Sequence, residues 1–406
     1  MTFDVYRESR ELLLETLPAE SIRHWLVPLG FANWEATHRR LLRIASRAAG
    51  RRSFGDLLPY LLTMLSETGN PDHVLVNLER FIEATGAAPE KLHYLATNLR
   101  AMEILVKLFS GSQFLTEILL RNPEYFDVLV EHHRLAHAKT VAEFWADVPA
   151  LHESDGGTDY LDALRRFQRW ELLRIGTCDL LGLFDLPVVT AQLSNLADSL
   201  VQAALSFAAA RAQGDPALDH FVVLALGKLG GQELNYSSDI DLLFLAARDA
   251  GDYRQLGERL ISALTEVTDE GFLYRVDMRL RPWGRSGPLV TSTRGYLSYL
   301  DRHARVWEKQ ALLKGRAVAG NLSTGRAFLK DATPTVFDIT ADEARENVLK
   351  MRTLTESRLQ QKGLAWGEVK QGKGSIRDVE FIIQYLQLAH GAGEPGVRSH
   401  NSLDSL

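Results

Sequence analysis

Asp239 and Asp241 stand two positions apart at the start of the segment DIDLLFL, residues 239–245. Its apolar run marks a β-strand. Side chains at i and i+2 of a strand share a face, so both carboxylates project together while Ile240 and Leu242 turn toward the interior. Two adjacent carboxylates repel one another unless a cation lies between them. Mg²⁺, which takes oxygen ligands from one or two carboxylates and from substrate phosphates, suits such a pair. Alone, the pair is weak evidence and reads more readily as a solvated strand end, but three neighbours favour the metal. The glycine-rich turn Gly227-Lys228-Leu229-Gly230-Gly231 precedes it, and glycines let backbone N–H groups approach phosphate oxygens. The turn lacks the Walker spacing. Ser237 and Ser238 add hydroxyls immediately before Asp239. In Tyr274–Leu280, residues Arg275, Asp277 and Arg279, followed by Arg281, alternate with Val276, Met278 and Leu280. A strand there would set one carboxylate among guanidinium groups on a single face.

Together these parts describe phosphoryl transfer. Asp239 and Asp241 would bridge two Mg²⁺ ions, with Asp277 as third ligand, stabilising the attacking and leaving oxygens of an in-line displacement. Asp277 could also accept the proton of the nucleophile. Arg279 and Arg281 could clamp phosphate oxygens; the competing reading of the arginine strand is a salt-bridged sheet face. Lys314 and Arg316 could neutralise phosphate from a neighbouring helix. Asp378 and Glu380, with Arg377 just upstream, point apart on a helix. One of them could face the nucleotide, or both could belong to a capped, solvated helix start. Trp307 is an adenine stack or a core residue. The 12 histidines offer no pair at ligand spacing backed by another donor, so zinc is not expected.

The elements that must position these groups divide the chain by texture. Its 406 residues suggest about two or three domains. Residues 1 to about 215 read as a helical domain. Leu92, Leu95, Leu99, Met102, Val106 and Phe109 make one helical stripe. Breaks fall at Gly69-Asn70-Pro71-Asp72, Gly86-Ala87-Ala88-Pro89 and Asn122-Pro123. No repeat period emerges. The texture changes near Gly214-Asp215-Pro216, and 216–320 reads as a small mixed sheet, the catalytic core. Phe221–Leu226 (FVVLAL) is a buried strand, and Tyr253, Leu256, Leu260, Leu264 and Val267 mark an amphipathic helix. After Pro288 helical patterning continues to the end, with Ala341–Lys362 as one long helix and 321–406 as a C-terminal helical segment. The last residues, HNSLDSL, read as a helix beginning, as though the polypeptide continued past Leu406. The fold class expected is α+β, predominantly helical.

Composition narrows the class further. With 46% apolar and 24% charged residues the chain is globular. A net charge of −6 argues against a general nucleic-acid binder. The one cysteine, Cys178, allows no internal disulfide. Neither a signal sequence nor an apolar run of bilayer length is visible. A cytoplasmic protein is expected.

The segments GKLGG, SSDIDLLF and YRVDMRLRPWGRSGPL, with LERF from Leu78, WEKQALLKGRAVAG from Trp307 and GSIRDVEFIIQ from Gly374, resemble the glutamine synthetase adenylyltransferase/adenylyl-removing enzymes. These are DNA polymerase β-like nucleotidyltransferases. The resemblance implies a bifunctional polypeptide. One unit removes AMP from a tyrosine of glutamine synthetase by phosphorolysis, giving ADP; a second attaches AMP from ATP. A single Asp-x-Asp unit is found here, and ELNYSSDIDLLF, RVDMRLRPWGRSGPL and SIRDVEF resemble the N-terminal, adenylyl-removing half. The resemblance makes Asp239 and Asp241 the metal pair and Asp277 the third acid. Gly227, Lys228, Gly230, Gly231, Ser237, Ser238, Arg279, Arg281, Lys314 and Glu380 become candidates for nucleotide or phosphate. It implies Mg²⁺, for which Mn²⁺ can substitute, ADP or ATP, inorganic phosphate, glutamine synthetase as protein substrate, and PII signal protein and glutamine as regulators. The superfamily's small-residue pair stands further before the aspartates than Gly230-Gly231 does. Gly227-Lys228 has the better spacing without the second small residue, so which glycine meets phosphate stays open. The alternatives are transfer from ATP to glutamine synthetase and a non-catalytic sensor.

Overall fold

The computed structural model describes residues 4–47, 51–86, 89–131, 135–151, 157–212, 218–363 and 368–406. The texture change at Gly214-Asp215-Pro216, and Ala87-Ala88 of one expected break, lie outside the described residues. By compactness the chain divides into Met1–His137 with Arg169–Val189, and Ala138–Gln168 with Thr190–Leu406.

The first unit is built from helices among the described residues. The stripe from Leu92 to Phe109 is carried by two helices, Pro89–Thr97 and Leu99–Gly111, rather than one. Asn98 makes the break: its side chain accepts from the Ala101 backbone N–H at 3.1 Å and caps the second helix. Leu99 is consequently 44% exposed. Cys178 is buried, and burial pushes its thiol up to about 11. Among the described residues no helix is long and apolar enough to cross a membrane.

The second unit carries the sheet. Five strands form it: β1 (Phe221–Leu226), β2 (Ile240–Ala246), β3 (Val276–Asp277), β4 (Val290–Ser292) and β5 (Arg316–Gly320). FVVLAL has no polar side chain to send to water, and β1 is buried along its whole length between antiparallel β2 and β5. Beyond β2 the edge is divided between β3 and β4, both parallel to it. Parallel pairing needs a crossover, and the amphipathic helix Arg254–Thr265 lies in that connection. Val222, Leu224 and Leu243 pack with Tyr296, Leu300 and Phe328 from the helices Thr293–Arg302 and Leu322–Val336. The long helix Ala341–Gln361 forms as the sequence indicates, with a capping box between Thr340 and Glu343.

Three expectations need correction. The strand over Tyr274–Leu280 is only two residues long, and Arg279-Leu280 turn. The Asp277 carboxylate accepts from the Arg279 backbone N–H at 2.8 Å, a local turn that competes with the ladder. Helix does not run unbroken from Pro288 to the end, because β4 and β5 intervene; strands so short leave little alternation to read. Val267 lies past the end of the helix Arg254–Thr265 and is 73% exposed.

Candidate active site

The sheet register brings the acidic residues to one place. Leu226 at the end of β1 pairs with Asp241, and Asp241 pairs with Asp277 across the parallel β2–β3 edge. Asp239 immediately precedes β2. The chain leaves β1 through the single helical turn Gly227–Gly230, which therefore begins beside Asp241. Gly227 has φ +54°, and a Cβ there would stand 2.3 Å from Asp241 Oδ2. Only glycine lets the carboxylate come so close without strain. Gly230 and Gly231 do something else. A Cβ on Gly230 would meet the Lys314 carbonyl oxygen at 1.9 Å, and one on Gly231 would meet the His400 carbonyl oxygen at 2.8 Å. Their smallness serves backbone packing.

Asp239, Asp241 and Asp277 line one cavity of about 990 Å³, together with Gly227, Lys228, Ser237, Ser238, Arg279, Lys314 and Glu380. Their electrostatic situations differ. Asp239 accepts from Arg275 Nε at 2.6 Å, and the same guanidinium donates to the Ser237 carbonyl at 2.8 Å. Asp277 accepts from Arg279 Nε at 2.8 Å, and that guanidinium holds its carboxyl below the usual carboxylate range. Both halves of the salt-bridged reading of the arginine strand are thus present. Asp241 has no cation paired with it among the described residues. Burial, then repulsion from Asp277 and Asp239, pushes its carboxyl up to about 6.

That raised carboxyl fits a divalent cation. A buried acid flanked by two others gains from a cation bound among them, and all the donors are the oxygens Mg²⁺ prefers. Among the described residues no group of three or more His, Cys, Asp or Glu is placed so that it could hold a metal ion as it stands. Arg275 and Arg279 occupy Asp239 and Asp277, so a cation would take those carboxylates in exchange for guanidinium partners. Asp241, with Asp239 and Asp277, would hold it.

Residues 102–331 match the family described as glutamate-ammonia ligase adenylyltransferase, and residues 347–406 match GlnD PII-uridylyltransferase. The chain belongs to the glutamate-ammonia ligase adenylyltransferase family. The bifunctional glutamine synthetase adenylyltransferase/adenylyl-removing enzyme of Streptomyces avermitilis is 35% identical over 360 residues, covering 86% of this chain and 35% of the relative. That of Chromobacterium violaceum is 34% identical over 391 residues, covering 92% and 43%. That of Leifsonia xyli is 29% identical over 410 residues, covering 96% and 39%. The chain therefore spans well under half the length of these curated relatives.

For a family member, the remaining candidates fall on two sides. Glu380 faces the cavity, whereas Asp378 accepts from Arg352 Nε at 2.9 Å and from the Gly374 backbone N–H at 2.8 Å. Half-buried Trp307 also lines the cavity. Ser238 donates to Asn235 Oδ1 at 2.6 Å. Lys314 lines the cavity too, but its ammonium donates to Glu233 at 2.6 Å and Ser402 at 2.9 Å. Arg281, expected beside Arg279, does not line it. Once the strand ends at Asp277 the alternation is lost, and Arg281 donates to the carbonyls of Met278 at 3.0 Å and Arg285 at 3.2 Å. Arg316, on β5 rather than a helix, pairs with buried Asp198 and donates to the Leu229 carbonyl at 2.8 Å. It braces the glycine turn from behind. Sequence reasoning missed Arg358 and Lys370, which line the cavity with Arg377. Arg358 sits on a helix with charged residues along its whole length, where no period distinguishes it.

Proposed function

We propose that this chain removes AMP from an adenylylated tyrosine of glutamine synthetase by Mg²⁺-dependent phosphorolysis, in the cytoplasm, as part of the control of nitrogen assimilation. An oxygen of inorganic phosphate forms a bond to the AMP phosphorus. The bond from phosphorus to the tyrosine oxygen breaks, and that oxygen keeps the electron pair and takes up a proton. The products are ADP and glutamine synthetase with its tyrosine side chain unmodified. The observation that carries the reading is the convergence of Asp239, Asp241 and Asp277 on one cavity that also holds Lys228 and Arg279.

Divalent cations held by the three aspartates would neutralise the phosphate oxygens during displacement. The rest is positioning by the chain. Arg279 keeps Asp277 ionised, which suits a ligand better than a proton acceptor. Phosphate arrives as an anion and needs no base, so Asp277 is assigned to the metal rather than to proton removal. The names of the relatives support glutamine synthetase as the protein substrate. The match of residues 347–406 to a PII-uridylyltransferase supports control by a PII signal protein.

The second reading is adenylyl transfer from ATP, favoured by the description of the matched family itself. One site can run both ways, so initial rates decide. The purified chain is given adenylylated glutamine synthetase with inorganic phosphate, and separately ATP with the unmodified enzyme. Faster ADP release in the first assay is expected. Faster AMP incorporation in the second reverses the assignment, and no turnover in either leaves the sensor reading.

A further inference from the structure

Three of the seven cations that line the cavity are spoken for. Arg275 pairs with Asp239, Arg279 with Asp277 and Lys314 with Glu233. Four others that line it, Lys228, Arg358, Lys370 and Arg377, have no carboxylate in ion-pair contact among the described residues. Arg377 Nε is buried without a hydrogen-bond partner, and its guanidinium lies 5.9 Å from the Phe381 ring. Lys228 is held below its ordinary ammonium value, first by burial and next by repulsion from Lys370. Glu380 and Glu233 attract Lys228, but Glu233 is already paired with Lys314, and Glu380 does not balance four positive charges. Lys228 and Arg377 are partly withdrawn from water while Arg358 and Lys370 are exposed, and such a cluster of cations without carboxylate partners is stabilised by a multiply charged oxyanion.

We propose that Lys228, Arg358, Lys370 and Arg377 form a second anion subsite that holds the attacking inorganic phosphate, separate from the aspartates that serve the AMP phosphorus. This rests on the phosphorolytic reading above. Attack brings one phosphate dianion against another phosphoryl group. Cations already cancelled by their own carboxylates do little to offset that repulsion, whereas uncancelled ones do. The division also assigns labour by element. The strands present the carboxylates, and the helices Ala341–Gln361 and Ile376–His390 present Arg358 and Arg377.

The test uses Arg358→Gln and Lys370→Gln, both at exposed positions, in the intact chain. Steady-state phosphorolysis is measured while inorganic phosphate and adenylylated glutamine synthetase are varied in turn. Each variant should raise KM for phosphate about tenfold and leave KM for the protein substrate within about twofold. Equal rises in both, or a rise for the protein alone, would overturn the subsite. A second arm titrates inorganic phosphate into the nucleotide-free chain by calorimetry, where each variant should weaken binding about tenfold. If the wild type binds phosphate, the variants lose it and no phosphorolysis occurs, the function falls while the subsite stands. If phosphorolysis proceeds and phosphate binding is unchanged in the variants, the subsite falls while the function stands.

Discussion

The two ends of the glycine turn after β1 use the same residue type for opposite purposes. At Gly227 the missing side chain leaves room for a carboxylate that faces an open cavity. At Gly230 it lets backbone meet backbone, with Lys314 and Arg316 closing the far side through Glu233, Asp198 and the Leu229 carbonyl. A few residues thus separate a face built for chemistry from a face built for packing. The difference is visible in how charges are satisfied. On the packed face each cation has its partner, while on the open face Asp241 stays unpaired and its neighbours crowd it.

Substitutions at the two ends should separate these roles. The largest effect is expected for Gly230→Ala. With backbone oxygen 1.9 Å from the new Cβ, nothing flexible can yield, and the loss of stability should be about 3 kcal/mol or more by chemical denaturation. A wild-type midpoint would mean the turn is not packed as described. Gly227→Ala should instead fold and fail catalytically. The new Cβ, 2.3 Å from Asp241 Oδ2, can be accommodated by swinging that carboxylate away. Such a displacement should cost about a hundredfold in kcat, with stability reduced by roughly 1 kcal/mol for the positive φ. Equal activity losses in Gly227→Ala and in natively folded Gly230→Ala would erase the contrast.

The smallest effect is electrostatic. Asp241 is raised to about 6 by burial first and by Asp277 and Asp239 after it. Asp277→Asn removes one repelling charge, favours the ionised form and should lower the Asp241 titration measured by NMR of ¹³C-labelled aspartate. Burial should still hold it above the ordinary carboxylate value. Arg279→Gln removes an attraction and should move the same titration upward. Opposite signs in the two variants are required.

How much of this was legible beforehand follows the range of each interaction. The apolar run of β1 and the two-residue spacing of Asp239 and Asp241 are local patterns, and both reached the structure as strand and shared cavity lining. The α+β, mostly helical class also follows from local pattern. Asp277 came to the cavity even though its strand proved two residues long, because register with β2 rather than alternation placed it. Arg281 depended on that alternation continuing, and a turn begun by Asp277 itself turned it away. Gly230 and Arg316 do not line the cavity, and the partners that hold them elsewhere, Lys314 and Asp198, are remote in sequence. Arg358 and Lys370 reach the cavity only through packing of the C-terminal helices, which no spacing encodes.

The central claim is that the three aspartates act as one site in the displacement. Its most direct measurement is single-turnover transfer of label from ³²P-adenylylated glutamine synthetase to ADP, with inorganic phosphate and Mg²⁺, by wild type and Asp241→Asn. The account predicts labelled ADP from the wild type and a loss of at least about a hundredfold in the variant, without loss of its fold. Transfer by Asp241→Asn at the wild-type rate would contradict it.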